Sequence, residues 1–239
     1  MNPLQNQTVV VVGASSGIGL ATARAAASRG ADVVMLSRSQ ARLDAAAASV
    51  TGGTVRAVAM DMLDPDAVGR VMASIAAVDH LVLTAVADEL ASRAPIRALT
   101  GEQVERSFDK LRGFVHVIRA AVPRLGERGS ITLIAGASAE RPPREGFSVL
   151  AAASGSILSF GKALALELAP IRVNVLMSGV VDTAIHAGRR ADMKAWAERD
   201  LPVRRFGQPE DIAHAIEFLM TNPYTTAQTL TVDGGFVAV

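Results

Sequence analysis

Short β-branched apolar runs alternate along this chain with longer Ala-rich stretches. Thr8–Ala14 reads TVVVVGA, Asp32–Ser37 DVVMLS, Thr54–Met60 TVRAVAM and His80–Ala85 HLVLTA, and the helical compositions of Leu20–Arg29, Gln40–Ser49 and Asp66–Ile75 fall between them. Val9–Val12 is apolar at every position. A strand wet on one face would alternate, so this pattern predicts strands covered by helices on both faces, as in a parallel sheet built from βαβ units. Downstream, the pattern predicts a single helix over Gly101–Pro123, a strand at SITLIAG (130–136), a helix ending near Ala169, a strand at RVNVLMSG (172–179), a helix over Pro209–Met220 and a last strand at TLTVDGG (229–235). No linker composition interrupts the rhythm. The expectation is an α/β protein with one doubly wound parallel sheet in a single domain spanning 1–239. Val181–Gly207 is then the one long irregular stretch, a substrate loop above the strand C-termini.

Composition narrows the partners. Half of the 239 residues are hydrophobic, enough for a large core, and 24 Lys and Arg nearly cancel 23 Asp and Glu. A balanced charge provides no field for nucleic acid or an anionic membrane, so the expected partner is a small-molecule substrate. The chain has no cysteine, and its four histidines, His80, His116, His186 and His214, lack ligand-like spacing. No metal is expected. The start, MNPLQNQ, lacks a basic head followed by an apolar run, and no later segment reads as about 18 uncharged apolar residues. A cytoplasmic protein without a membrane span is expected.

The first strand runs into GASSGIG, which places Gly13, Ser15, Ser16, Gly17, Ile18 and Gly19 at the first strand-to-helix turn. Glycines there permit a tight turn and let the backbone approach a pyrophosphate, while the helix N-terminus offers N–H donors and the positive end of its dipole. A Gly-rich turn alone says little. Strand, three glycines and an immediate helix in that order predict a Rossmann-type dinucleotide site. The second strand ends in Ser37, Arg38 and Ser39. An acidic residue would bind a ribose 2′-hydroxyl; a guanidinium with two hydroxyls suits a 2′-phosphate, so the expected cofactor is NADP(H).

Together GASSGIG, Met60–Asp61, ALALELAPIRVNVLMSG, RRFGQPEDIA and TLTVDGG make the chain similar to the short-chain dehydrogenase/reductase superfamily over nearly its whole length. The resemblance implies that Asp61 and Met62 border the adenine, that Thr84 and Ala85 lie beside the cofactor, that Ser178, Gly179 and Val181 follow the sixth strand near the nicotinamide, and that Thr183 reaches its carboxamide. It also implies a homo-oligomer, a dimer or tetramer, expected to be built from the two longest helices and the C-terminal DGGFVAV, because apolar FVAV at a terminus is a liability unless buried. Members resembling this chain carry a Tyr-x-x-x-Lys pair on the helix after the fifth strand. Counting along FGKALALELAP places those positions on Leu150 and Ser154, neither of which supplies an acid or a cation. The Asn of the preceding long helix falls on Lys110, the NNAG after the fourth strand is LTAV here, and the Ser position falls within Ala135–Ala137, with Ser138 just beyond.

Two residues are therefore candidates for altered chemistry. Lys110 would be a relocated cation and Ser138 a hydroxyl for a substrate oxygen, while Ser154 remains beside the cofactor. Glu140, Arg141 and Arg144 lie on a Pro-stiffened loop, and His116 and Tyr224, the one tyrosine, are expected to be structural. Two functions follow: an NADP(H)-dependent oxidoreductase for a small carbonyl or enone, or a non-catalytic NADP(H)-binding regulator or assembly subunit.

Overall fold

A computed structural model describes residues 2–86 and 89–239. Seven parallel strands form one sheet in the order β3-β2-β1-β4-β5-β6-β7. They are β1 (Thr8–Val12), β2 (Asp32–Ser37), β3 (Val55–Ala59), β4 (Val78–Leu83), β5 (Leu125–Gly136), β6 (Arg172–Ser178) and β7 (Thr229–Val232). The continuous apolar runs serve two cores. Val9 and Val11 enter one core with helices α1 (Gly17–Ser28), α2 (Gln40–Ala47) and α8 (Pro209–Thr221). Val10 and Val12 point the other way, towards α3 (Pro65–Ala73), α5 (Asp109–Ala121) and α6 (Ser148–Glu167). Successive side chains of a strand alternate faces, so a run buried on both sides must be apolar throughout. This is the doubly wound Rossmann-type architecture expected from the sequence.

Two expectations need correction. The stretch read as one helix is split into α4 (Gly101–Ser107) and α5, with Phe108 between them outside helical geometry (φ −96°, ψ 3°). A Thr100–Gln103 capping box starts α4, and a new apolar face begins with α5, so two helices replace one. Val181–Gly207 is not irregular either. It holds a 3₁₀ turn, Ala184–Arg189, and α7 (Arg190–Asp200), whose Ala197 forms a small separate core with Leu201 and Phe206, packed by Trp196 and Phe236. The polar surface of α7 hid its periodicity from the sequence pattern.

The long helix α6 is long and apolar enough by length and composition to cross a membrane, although Lys162 and Glu167 interrupt it, so that no run of about 18 uncharged apolar residues occurs in it. Its Leu150, Ala153, Ile157, Gly161, Leu164 and Ala165 are the buried residues that face the domain. At Gly161 a Cβ would lie 2.4 Å from Val175 Cγ2, so the helix rests directly on β6.

At the opposite, N-terminal edge of the strands, His80 is buried, with Nδ1 2.8 Å from Ser130 Oγ and Nε2 2.8 Å from Gln7 Oε1. Burial, which disfavours the charged ring, lowers its pKa to about 4; Asp79 opposes the shift and Arg172 adds to it.

Candidate active site

The order 3-2-1-4 reverses chain direction between β1 and β4, and ligands of such sheets sit in the crevice above the strand C-termini at that point. A cleft of about 560 Å³ opens there. Every residue singled out above as a cofactor or catalytic candidate lines it, from Gly13 and Arg38 to Lys110, Ser138, Ser154 and Thr183.

One end is built by close backbone approach. Gly13 has φ +95°, and a Cβ on it would lie 2.6 Å from Ala85 N. A Cβ on Gly19 would lie 2.3 Å from Gly13 O and 2.6 Å from Thr84 Oγ1, whose hydroxyl donates to Val12 O at 2.9 Å. The turn after β1 is thus locked onto the end of β4. Ser16 precedes α1 in extended backbone, its side chain makes no capping hydrogen bond, and the first turn of α1 has no acidic residue. Uncapped N–H groups, a positive dipole end and a floor without side chains fit the pyrophosphate of a dinucleotide.

The hydroxyls after β2 have internal partners. Ser37 Oγ lies 3.0 Å from Ser15 Oγ, and Ser39 Oγ accepts from Arg42 N at 3.4 Å as the cap of α2. That capping places Arg42 on the same rim as Arg38. Arg42 was not singled out from the sequence: it lies in the first turn of α2, and only the folding of that turn beside Arg38 brings it to the rim. Across the rim, Asp61 Oδ1 accepts from Leu63 N at 2.9 Å, and Met62 is held by α5: His116 Nδ1 donates to Met62 O at 3.1 Å. His116 is structural, as expected.

The other end is apolar with a few polar groups. Leu150 is buried and lines the cleft with Phe147, Val86 and Ile185. Ser138 Oγ and Ser154 Oγ lie 3.3 Å apart, so two separately chosen residues form one hydroxyl pair. Lys110 enters from the start of α5, its Nζ 5.7 Å from the centre of the Phe114 ring. Tyr224 is 99% exposed and does not line the cleft. His186 does line it, from the 3₁₀ turn after Thr183, with its ring 6.0 Å from that of Phe206. Burial holds its pKa below the usual histidine value, Arg189 lowers it further, and Asp182 pulls the other way. Its place three residues after Thr183 was the one sequence signal for it.

Phe236 ties α7 to the segment after β5. Asp233 accepts from Gly235 N and Val237 N, both at 2.8 Å, and so closes the turn of VDGG. Phe236 then meets Trp196 of α7 edge-on, with centroids 5.8 Å apart. The Arg141 guanidinium lies 4.5 Å from the centre of the Phe236 ring and donates to its carbonyl at 3.0 Å. Arg141 N also donates to Ala137 O at 2.9 Å, within the turn that carries Ser138. Phe236 is thus partnered within its own chain, while Val239 at the end of FVAV is exposed.

The chain matches the enoyl-(acyl carrier protein) reductase family over residues 13–237. It is 34% identical to L-xylulose reductase from Homo sapiens, with 98% of both chains covered. A solved short chain dehydrogenase/reductase family protein superposes with a TM-score of 0.87 at 32% identity, covering 99% of this chain and 100% of the other. An NADPH-bound short chain oxidoreductase from Pseudomonas aeruginosa PAO1, containing an atypical catalytic center, gives a TM-score of 0.87 at 26% identity, with 97% and 98% covered. With its parallel sheet, glycine turn and cleft, the chain therefore belongs to the short-chain dehydrogenase/reductase superfamily, in the family described as enoyl-(acyl carrier protein) reductase.

Proposed function

We propose that this protein is an NADP(H)-dependent oxidoreductase whose reacting end does not use a Tyr-x-x-x-Lys pair, and that it acts on a small carbonyl or enone. The observation that carries this reading is the single cleft: a complete phosphate turn with Arg38 and Arg42 at one end opens directly onto Lys110 and the Ser138–Ser154 hydroxyls at the other. Gly13, Ser15, Ser16, Gly17, Ile18 and Gly19 would hold the pyrophosphate, Arg38 and Arg42 the 2′-phosphate, Asp61 and Met62 the adenine, and Thr84, Ala85, Gly179, Val181 and Thr183 the nicotinamide half. When bound, the cofactor supplies the hydride. The chain's own part is to hold the substrate oxygen on the serine hydroxyls and to place the Lys110 ammonium where negative charge grows. Residues 181–207 would select the substrate. The atypical center of the P. aeruginosa neighbour supports the idea that this fold can work without the usual residues.

Buried Leu150, at the position where the resemblance places the proton donor, favours a second reading, a non-catalytic NADP(H)-binding subunit. Calorimetry and a turnover screen separate the two. The enzyme reading expects NADPH to bind more tightly than NADH, with NADPH oxidised in the presence of some carbonyls or enones. Binding without any turnover across a broad panel supports the second reading, and equal affinity for NADPH and NADH removes the NADP(H) preference from both. The apolar face that α6 leaves uncovered, with Leu166 78% exposed, together with Val104 and Val115 of α4 and α5, supports a second copy of this chain as the partner.

A further inference from the structure

Arg38, Arg42, Asp61, Lys110 and His186 are the titratable side chains that line the cleft among the described residues. The first three follow β2 and β3, at the end suited to the adenosine half. Lys110 and His186 remain for the reacting end, and an ammonium suits charge stabilisation better than proton exchange near neutral pH. The backbone of His186 is held by its N–H, which donates to Thr183 O at 3.0 Å, three residues beyond the group assigned to the carboxamide. The ring packs on Phe206 and is only half-buried, so it can regain a proton from water.

Resting on the oxidoreductase reading, we infer that His186 exchanges the proton with the substrate oxygen in place of the absent tyrosine. In the reductive direction the substrate carbon accepts the hydride, the carbonyl π pair moves to oxygen, and the imidazolium N–H bond breaks to give that oxygen its proton. Water then reprotonates the ring. In the reverse direction the neutral imidazole removes the alcohol proton as hydride leaves the carbon. The groups that set its charge are Arg189 and Asp182 on its own segment; Asp182 is shared with Arg190 at 2.6 Å, Arg205, beside Phe206, is neutralised by Asp211, and Lys110 is the other cation of this end of the cleft. Because burial and Arg189 hold its pKa below 6.5, reduction should slow as pH rises through that lower range, and oxidation should quicken.

NMR titration of the histidine rings tests this without a known substrate. NADP⁺ carries a nicotinamide charge that NADPH lacks. A unit charge about 8 Å away behind an effective dielectric near 60 moves a pKa by on the order of half a unit, so the His186 midpoint should be lower with NADP⁺ than with NADPH. The exposed His214 of α8 should not respond. A second arm uses any substrate from the turnover screen: His186→Gln should cut turnover by about a hundredfold or more and flatten the pH profile, while NADPH affinity and thermal midpoint hold. His214→Gln should change none of these. Equal His186 midpoints in the two cofactor states, or an unchanged pH profile in His186→Gln, overturns the inference alone. Failure of either cofactor to bind overturns the oxidoreductase reading and the inference with it.

Discussion

The two ends of the cleft are made in opposite ways. At the phosphate end, backbone meets backbone: Gly13, Gly19, Thr84 and Ala85 approach so closely that a single added methyl has no room. At the reacting end, side chains from four separate segments line the cleft: Lys110 from α5, Ser138 from the turn after β5, Ser154 from α6 and His186 from the 3₁₀ turn Ala184–Arg189. Steric closeness of backbone tolerates no substitution, whereas a set of side chains on distant segments can be exchanged one at a time without disturbing the fold. The contrast is what allows a cofactor turn to be kept while the side chains at the other end change.

The contrast can be broken most severely at Gly19. In Gly19→Ala the new Cβ has backbone at 2.3 Å, so NADPH binding by calorimetry should weaken by about a hundredfold or more and the thermal midpoint should fall. A tolerated alanine would mean that the turn is looser than its geometry. Acid should act on the frame beneath both ends. His80 titrates at about 4 when folded and near 6.5 when unfolded, so between those values the unfolded chain binds more protons. Its contribution, about 3 kcal/mol at most, is fully present above pH 6.5 and lost as pH falls towards 4. Denaturant midpoints measured from pH 7.5 to about 4.5 should fall along this window, and less steeply in His80→Gln.

A milder test is specific to one end. Arg38→Ala should weaken NADPH by about tenfold to a hundredfold, the worth of a charged hydrogen bond, and leave NADH nearly unchanged. Equal losses for both would assign Arg38 to something other than the 2′-phosphate. The smallest effect is expected where intuition expects the largest. Leu150→Tyr with Ser154→Lys should raise carbonyl turnover by less than about tenfold, because a second ammonium beside Lys110 destabilises both charged forms. Adding Lys110→Asn should release the gain. If the double variant alone becomes a strong reductase, Lys110 does not occupy the cation's place.

Legibility followed the same division. The parallel sheet was readable because strands buried on both faces must be apolar at every residue, and the phosphate turn because its parts are contiguous from Val12 to Gly19. The reacting end was readable only in part. Resemblance placed Lys110 and Ser138 near it, yet the 3.3 Å pairing of Ser138 with Ser154 depends on two elements meeting in space. His186 carries no spacing signal with the other histidines, and only its position after Thr183 marks it. The break at Phe108 left no Gly or Pro to mark it, and α7 is too polar outside to show its buried Ala197.

Chain order turns the Phe236 fastening into an order of events. Synthesis delivers the N-terminal residues first. The strands that carry the phosphate turn, β1 to β4, all precede residue 84, so that end of the cleft can assemble while the rest is still being made. Ser138, and later Trp196, emerge without the aromatic ring that ties their segments together, which arrives only with residue 236. A nascent chain of this protein would therefore grip a nucleotide before it could close over a substrate, and a ribosome stalled between residues 200 and 236 should display the first property without the second.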